Sequence, residues 1–296
     1  MKKRLNLSVV CATHNGSKKI KNLIFSVNNN YVLPKEIIIC GTSISDLKYI
    51  PKNILRKLNI KFIYSHKKSQ IIQRITAINY SVSDYILQID DDVIIKPNFF
   101  LNISKYVSMK SDINKKVVSA LIVQRNKDLQ AGTWNTIYKK YLLFRLLVLL
   151  LNKGKEIKEY SMLNSGRCVP FIKGFDKKLT KNIQNVEWLC STILYHRNSR
   201  LNIKIPKQNT DKAYYEDVFF SHQLYKKKYK LLIDVSVIGI HDNQPYTSIS
   251  TYFKTLSTQY DIVKIFKKSK TFFFLDVVVF TMIHLFRDLY KKMNSN

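Results

Sequence analysis

Three consecutive carboxylates, Asp90, Asp91 and Asp92, stand between the apolar segments YILQI and VII. Along an extended chain alternate side chains point the same way, so Asp90 and Asp92 converge while Asp91 faces elsewhere. Two carboxylates aimed at one point are costly unless a cation neutralises them. Hard divalent ions such as Mg2+ and Mn2+ take oxygen ligands and commonly bridge to substrate phosphates. The competing reading is a solvated acidic turn, which the apolar runs on both sides disfavour. The pattern therefore points to a divalent cation held at 90 and 92. Glu216 and Asp217 form a second acidic pair, which read alone is a helix cap favoured by the dipole. His241 alone is a partner for its neighbour Asp242.

The elements around the triplet must be ones that deliver it. LNLSVVCA is strand-like and runs into the turn THNGS, where Ser17 or Asn15 can cap a helix that places Ile20, Leu23, Ile24 and Val27 on one face. EIIICG is a buried strand, a helix is expected over Leu47 to Leu58, and IKFIYS is the third strand. SQIIQRITAINYSV reads as a helix with Ile71, Ile72, Ile75 and Ile78 on one side, and YILQID is the fourth strand. Strand–helix alternation at this spacing argues for a parallel sheet covered on both faces. Ligands of such sheets gather beyond the carboxyl ends of the strands, where the triplet lies. After about residue 160 the chain is less regular. SMLNSGRCVPFIKGFDKK is loop-like, VEWLCSTILYHR reads as a strand, YYEDVFFSHQLYKKKYK starts an amphipathic helix, and LLIDVSVIGIH is a strand ending in His241.

The 296 residues carry 50 Lys and Arg against 20 Asp and Glu, a formal charge of +30. That excess draws a protein towards polyanions such as nucleic acid, anionic lipid or phosphorylated small molecules, or it merely solvates the surface. With 7 Gly and 6 Pro, collagen-like and long disordered readings are disfavoured. Cys11, Cys40, Cys168 and Cys190 show neither C-x-x-C pairing nor zinc-finger spacing, which fits a reducing, cytoplasmic home. The first apolar run is short and interrupted, so a first strand is expected and not a signal peptide. Two segments are unusually apolar. Tyr141 to Leu151 is too short to span a bilayer and is expected as a core helix. Thr271 to Phe286 carries Asp276 and His284 and, with its basic flanks, is expected to lie beside anionic lipid headgroups.

The succession SVVCATHNGSKK, KEIIICGTS, QR-x-x-A-x-N and DYILQIDDDV, continued by VEWLCSTILYHR, GFDKKL, YYEDVFFSHQLYKKKYK and a strand ending in His241, is similar to the inverting family 2 glycosyltransferases. The likeness covers roughly residues 5 to 245. It implies an α/β GT-A fold, a Rossmann-like mixed sheet flanked by helices, over 1–245, with a basic, apolar helical tail over 246–296. It implies that Asp90 and Asp92, with Asp91 between them, hold a divalent cation (Mn2+ or Mg2+) and the donor's diphosphate, and that His241 completes the metal shell or touches the diphosphate. Thr13 and Asn15 match the loop lining the nucleotide pocket, Arg74 a helix position facing the donor, and Trp188 a segment near donor sugar and acceptor. Asp217, paired with Glu216 on the donor side, matches the general base.

Two positions depart from the family pattern. Cys40-Gly41-Thr42 replaces the Asp that usually reads the base, and Ile75 stands where an Asn commonly follows Arg. The expected partners are a UDP-, GDP- or dTDP-linked sugar, a glycan or lipid-linked glycan acceptor, and a peripheral contact with the inner face of an anionic membrane, without nucleic acid. The rivals are a sugar nucleotidyltransferase, for which THNGSKK has too few glycines, a basic nucleic-acid-binding protein, and a non-catalytic scaffold.

Overall fold

The runs from Leu5 and from Leu33 are apolar on both pleat faces, and both are buried almost throughout. That is the signature of strands covered on two sides. A computed structural model of the chain describes residues 2–108, 116–124, 142–155, 161–168, 183–190, 192–196, 215–241 and 249–293. It divides into two compact units, the first formed by residues 1–126, 178–205 and 211–243, the second by residues 127–177, 206–210 and 244–296.

In the first unit β1 (Arg4–Thr13) pairs in parallel with β2 (Leu33–Gly41) and β4 (Tyr85–Ile89), and β2 with β3 (Ile60–Tyr64). Helix α1 (Ser17–Asn28) buries Ile20, Leu23, Ile24 and Val27, as their spacing predicts. Its N-cap is Gly16, and neither Ser17 nor Asn15 caps it. Asn15 instead takes a left-handed backbone conformation at φ 52°. The single helix expected over 47–58 is broken into a 3-10 turn (Ile44–Leu47) and α2 (Lys52–Lys57). Pro51 causes the break, since it offers no N–H and disfavours helical geometry in the residue before it. Helix α3 (Gln70–Tyr80) buries Gln73, Arg74, Ala77 and Ile78, whereas Ile72 of the expected apolar face is exposed.

Beyond β4 the sheet becomes mixed, as the family resemblance implies. Five further strands are β5 (Val93–Ile95), β6 (Lys116–Gln124), β7 (Ile183–Asn185), β8 (Thr192–His196) and β9 (Lys230–His241). The order is β3-β2-β1-β4-β8-β6-β9-β5, with β7 also on β9. β8 runs antiparallel to β4 and β6, and β5 antiparallel to β9, while β6 and β9 are parallel. Within VEWLCSTILYHR the strand is Thr192–His196; Leu189, ahead of it, donates its N–H to Ser221 Oγ at 2.9 Å. Helix α4 (Phe99–Ser108) and strand β6 have no counterpart in the sequence expectations. Phe99 and Phe100 of α4 lie in the core with Leu7, Val9, Ile37, Leu87 and Ile89. One charge in this core is fully met: Glu36 accepts from Ser8 Oγ at 2.6 Å, Lys61 Nζ at 2.8 Å and Val82 N at 2.8 Å.

The second unit contains α5 (Leu142–Leu151), α7 (Ile249–Ile265) and α8 (Lys270–Met293); α6 (Glu216–Lys226) belongs to the first. Its core joins Val148 and Leu151 to Leu163, Tyr252 and Phe280. Helix α5 is not the core helix expected from its composition, because Leu142, Leu143, Leu146 and Leu150 are exposed. No helix among the described residues is long and apolar enough to cross a membrane.

Asp276, the charge that interrupts the apolar run of α8, is fully buried. It accepts from Arg167 Nε at 2.9 Å, Arg167 Nη2 at 2.6 Å, Ser165 Oγ at 3.1 Å and Gln259 Nε2 at 3.3 Å. The Arg167 guanidinium lies over the Phe280 ring, 3.4 Å from its centroid. Removing one partner of such a pair leaves the other charge buried and unpaired, which costs about 3–5 kcal/mol. Asp276→Ala should lower the unfolding free energy by that amount in urea titrations followed by circular dichroism, and Asp276→Asn by less.

Candidate active site

Sheet register assembles the acidic site. Asp90 leaves β4, the chain turns through Asp91 and Asp92, and β5 begins at Val93, which pairs with His241 of β9. His241 is thereby one residue from Asp92, and its Nε2 lies 3.1 Å from Asp92 Oδ1. Lys19 Nζ of α1 approaches Asp92 Oδ2 at 3.5 Å. The middle carboxylate turns away: Thr13 Oγ1, at the end of β1, donates to Asp91 Oδ2 at 2.8 Å. Gly16 closes this corner, because a Cβ there would fall 2.5 Å from Asp91 Oδ2 and against Thr13 Oγ1. Asn15 is exposed, with its amide nitrogen 3.2 Å from His14 Nε2. His14 Nδ1 in turn sits 2.8 Å from Thr42 Oγ1, just past β2, where the family pattern has its base-reading Asp.

A second group of charges joins the first through one side chain. Arg74, buried on α3, places Nη2 2.5 Å from Asp90 Oδ1 and pairs through Nη1 with Glu216 Oε1. Glu216 and Asp217 start α6 immediately after Tyr215, whose left-handed φ of 59° turns the chain into the helix. Asp217 Oδ1 accepts from Val218 N at 2.9 Å. Ile71, Arg74, Ile75, Gln88, Glu216, Asp217 and Phe220 line one pocket, so Ile75 supplies part of its apolar wall.

Burial and like charges set the protonation of this group. Burial is the largest influence on Asp217, which, with Glu216 and Asp90 adding repulsion, is pushed up to about 7. Glu216 also rises to about 7 by burial, although Arg74 opposes the shift. Burial lifts Asp91 to about 6 against the pull of Lys19 and Thr13. For the Asp92–His241 pair burial disfavours both charges, but their mutual hydrogen bond prevails, lowering Asp92 and raising His241. The result is one carboxylate pair poised near neutrality and another group kept charged.

One oxygen each of Asp90 and Asp92 and one nitrogen of His241 lie within 4.8 Å of one another. Ligands about 2.1 Å from one ion are at most about 4.2 Å apart, so small side-chain rotations bring this hard donor set onto a Mg2+- or Mn2+-sized ion. The residues present fit a divalent cation. Trp188 is buried in the segment leading into β8. GFDKKL and Asp242 lie outside the described residues. The sequence reading missed Lys19, although its position one turn into α1 aims it at the strand ends. It also missed Gln88, which alternation along β4 puts on the face of Asp90; Gln88 Nε2 donates to Tyr195 OH at 2.8 Å.

The sequence model of glycosyl transferase family 2 matches residues 8–183, more than half of the chain. No curated protein sequence matches. Among solved structures, S. aureus TarS 1-349 in complex with UDP-GlcNAc superposes with a TM-score of 0.54 at 14% identity, covering 89% of this chain and 66% of that one. GalNAc-T7 with UDP, GalNAc and Mn2+ gives 0.55 at 14% identity over 89% and 48% of the two chains. The Pyrobaculum calidifontis mannosyltransferase PcManGT with GDP-Man and Mn2+ gives 0.52 at 10% identity over 90% and 66%. This chain thus spans about half to two thirds of the length of these structures, with which it shares the GT-A fold. The family match from β1 through β6 and the sheet that carries the acidic turn agree: the chain belongs to glycosyl transferase family 2.

Proposed function

We propose that this glycosyltransferase moves a sugar from a nucleoside-diphosphate donor to an acceptor hydroxyl in a single inverting displacement. Asp217 serves as general base, and Asp90, Asp92 and His241 hold a Mn2+ or Mg2+ ion. The observation that carries this reading is the Arg74 guanidinium, which ties Asp90 of the acidic turn to Glu216, the residue next to Asp217. Cation-holding and proton-accepting groups therefore share one cleft within the first unit. The UDP-GlcNAc, UDP and GDP-Man carried by the structural neighbours support a nucleotide-sugar donor.

Each residue then has a task. The cation, when bound, offsets charge developing on the leaving diphosphate as a Lewis acid. Arg74 keeps Asp90 oriented and adds positive charge on the donor side. Asp217 takes the proton from the acceptor hydroxyl as that oxygen attacks the anomeric carbon opposite the breaking bond to the diphosphate. The apolar wall of Ile71, Ile75 and Phe220 keeps water from competing. Thr13, Asn15 and the His14–Thr42 pair border the nucleotide, in place of the family's Asp. The acceptor we assign to this site is a hydroxyl of a surface glycan or a lipid-linked glycan.

Asp217→Asn should lower kcat by about 10²–10⁴-fold, read as nucleoside-diphosphate release from a panel of UDP-, GDP- and dTDP-sugars, with donor binding by calorimetry unchanged. Full turnover in that variant would remove Asp217 from the mechanism. Because Asp217 acts only when deprotonated and its carboxyl is pushed up to about 7, the wild-type rate should climb as pH rises through that value. A flat profile between mildly acidic and mildly alkaline buffers would contradict this. Chelation should stop transfer and Mn2+ or Mg2+ restore it, whereas Asp92→Ala should not recover with either ion. The product should carry the anomeric configuration opposite to the donor's, as read by the proton coupling in its NMR spectrum.

A further inference from the structure

We propose that the second unit docks on the surface of an anionic lipid bilayer through the outward faces of α5 and α8. On α8 the inward side is filled by Phe273, Asp276 and Phe280. The outward side shows Phe274, Leu275, Val278, Met282 and Leu285, each between 45% and 62% exposed. Positions 274, 278, 282 and 285 follow one another by four, four and three residues, so they form a single stripe over three turns. Helix α5, from a distant part of the chain, repeats the arrangement: Val148 and Leu151 enter the core, while Leu142, Leu143, Leu146 and Leu150 are 52–72% exposed. Isolated exposed apolar residues need no explanation, but two such stripes in one unit mark a contact surface.

The charges nearby indicate what covers it. Lys153 and Lys155 follow α5, and Lys264, Lys267 and Lys270 surround the joint between α7 and α8; all five are exposed. Asp261, the one described carboxylate beside them, is already within 3.5 Å of Lys264. Asp276, on α8, is turned inward onto Arg167. A second copy of this chain would bring the same lysines and the same net charge of +30 to the contact, whereas anionic headgroups complement them. Since no described helix can cross a membrane, the apolar stripes lie in the plane of the interface, with lysines at headgroup level.

This inference does not rest on the sugar-transfer reading, and its test uses neither donor nor acceptor. The full chain is sedimented with vesicles of phosphatidylcholine alone, or of about three parts phosphatidylcholine to one of phosphatidylglycerol. It should bind the anionic vesicles at least about tenfold more tightly. Leu146→Glu and Val278→Glu, separately and together, should each weaken that binding with the thermal melt unchanged, the pair by about tenfold or more. Lys267→Ser with Lys270→Ser should erase most of the preference for the anionic vesicles. The proposal is overturned if the wild type ignores both vesicle types, if the Glu variants bind as it does, or if those substitutions instead dissolve a dimer seen by light scattering and leave vesicle binding intact.

Discussion

The guanidinium of Arg74 holds together charges that would otherwise drive the cleft apart. Asp90, Asp92, Glu216 and Asp217 come from two segments more than a hundred residues apart, and like charges about 4 Å apart repel by about 4 kcal/mol at a protein-like dielectric. A lysine offers a point charge, but the planar fork of arginine reaches two carboxylates in different directions at once. Arg74 can do this because α3 is buried at that turn and has no freedom to swing outward. Its neighbours Ile71 and Ile75 keep the pocket apolar, which is what lifts the two helix-start carboxylates towards neutrality.

The other half of the cleft depends on strand register. His241 meets Asp92 because β5 and β9 run antiparallel with Val93 opposite His241. The long strand β9 serves several partners at once: β6 along one edge, β7 near its start and β5 at its end. A one-residue slip would send the imidazole to the opposite face of the sheet. The parallel half contributes the loops after β1 and β2, and the mixed half contributes His241 and helix α6 with its two leading carboxylates.

Much of the first hundred residues was legible in the sequence, because each strand there is a compact apolar run and each helix a clean periodic one. The break at Pro51 is set by a single residue, which offers no N–H and disfavours helical geometry before it. The face of helix α3 was legible only in part: Ile78 is buried and Ile72 is exposed, while Gln73 and Arg74 join the buried side, Arg74 with its partners Asp90 and Glu216 on other segments. The carboxylates of the site could be named from residue types and order, while the distances that join them come from pairing between segments about 150 residues apart. Asp276 shows the same limit. Its role follows from Arg167, which no local pattern in α8 reveals, and the exposure of α5 follows from which of its leucines found partners.

The corner formed by Thr13, Gly16 and Asp91 leaves no room for a methyl group. Two loops separated by some seventy-five positions are consequently coupled sterically: a larger residue at 16 requires the side chains at both 13 and 91 to be shorter or redirected. Sequence change in the loop after β1 is thus answerable to the acidic turn.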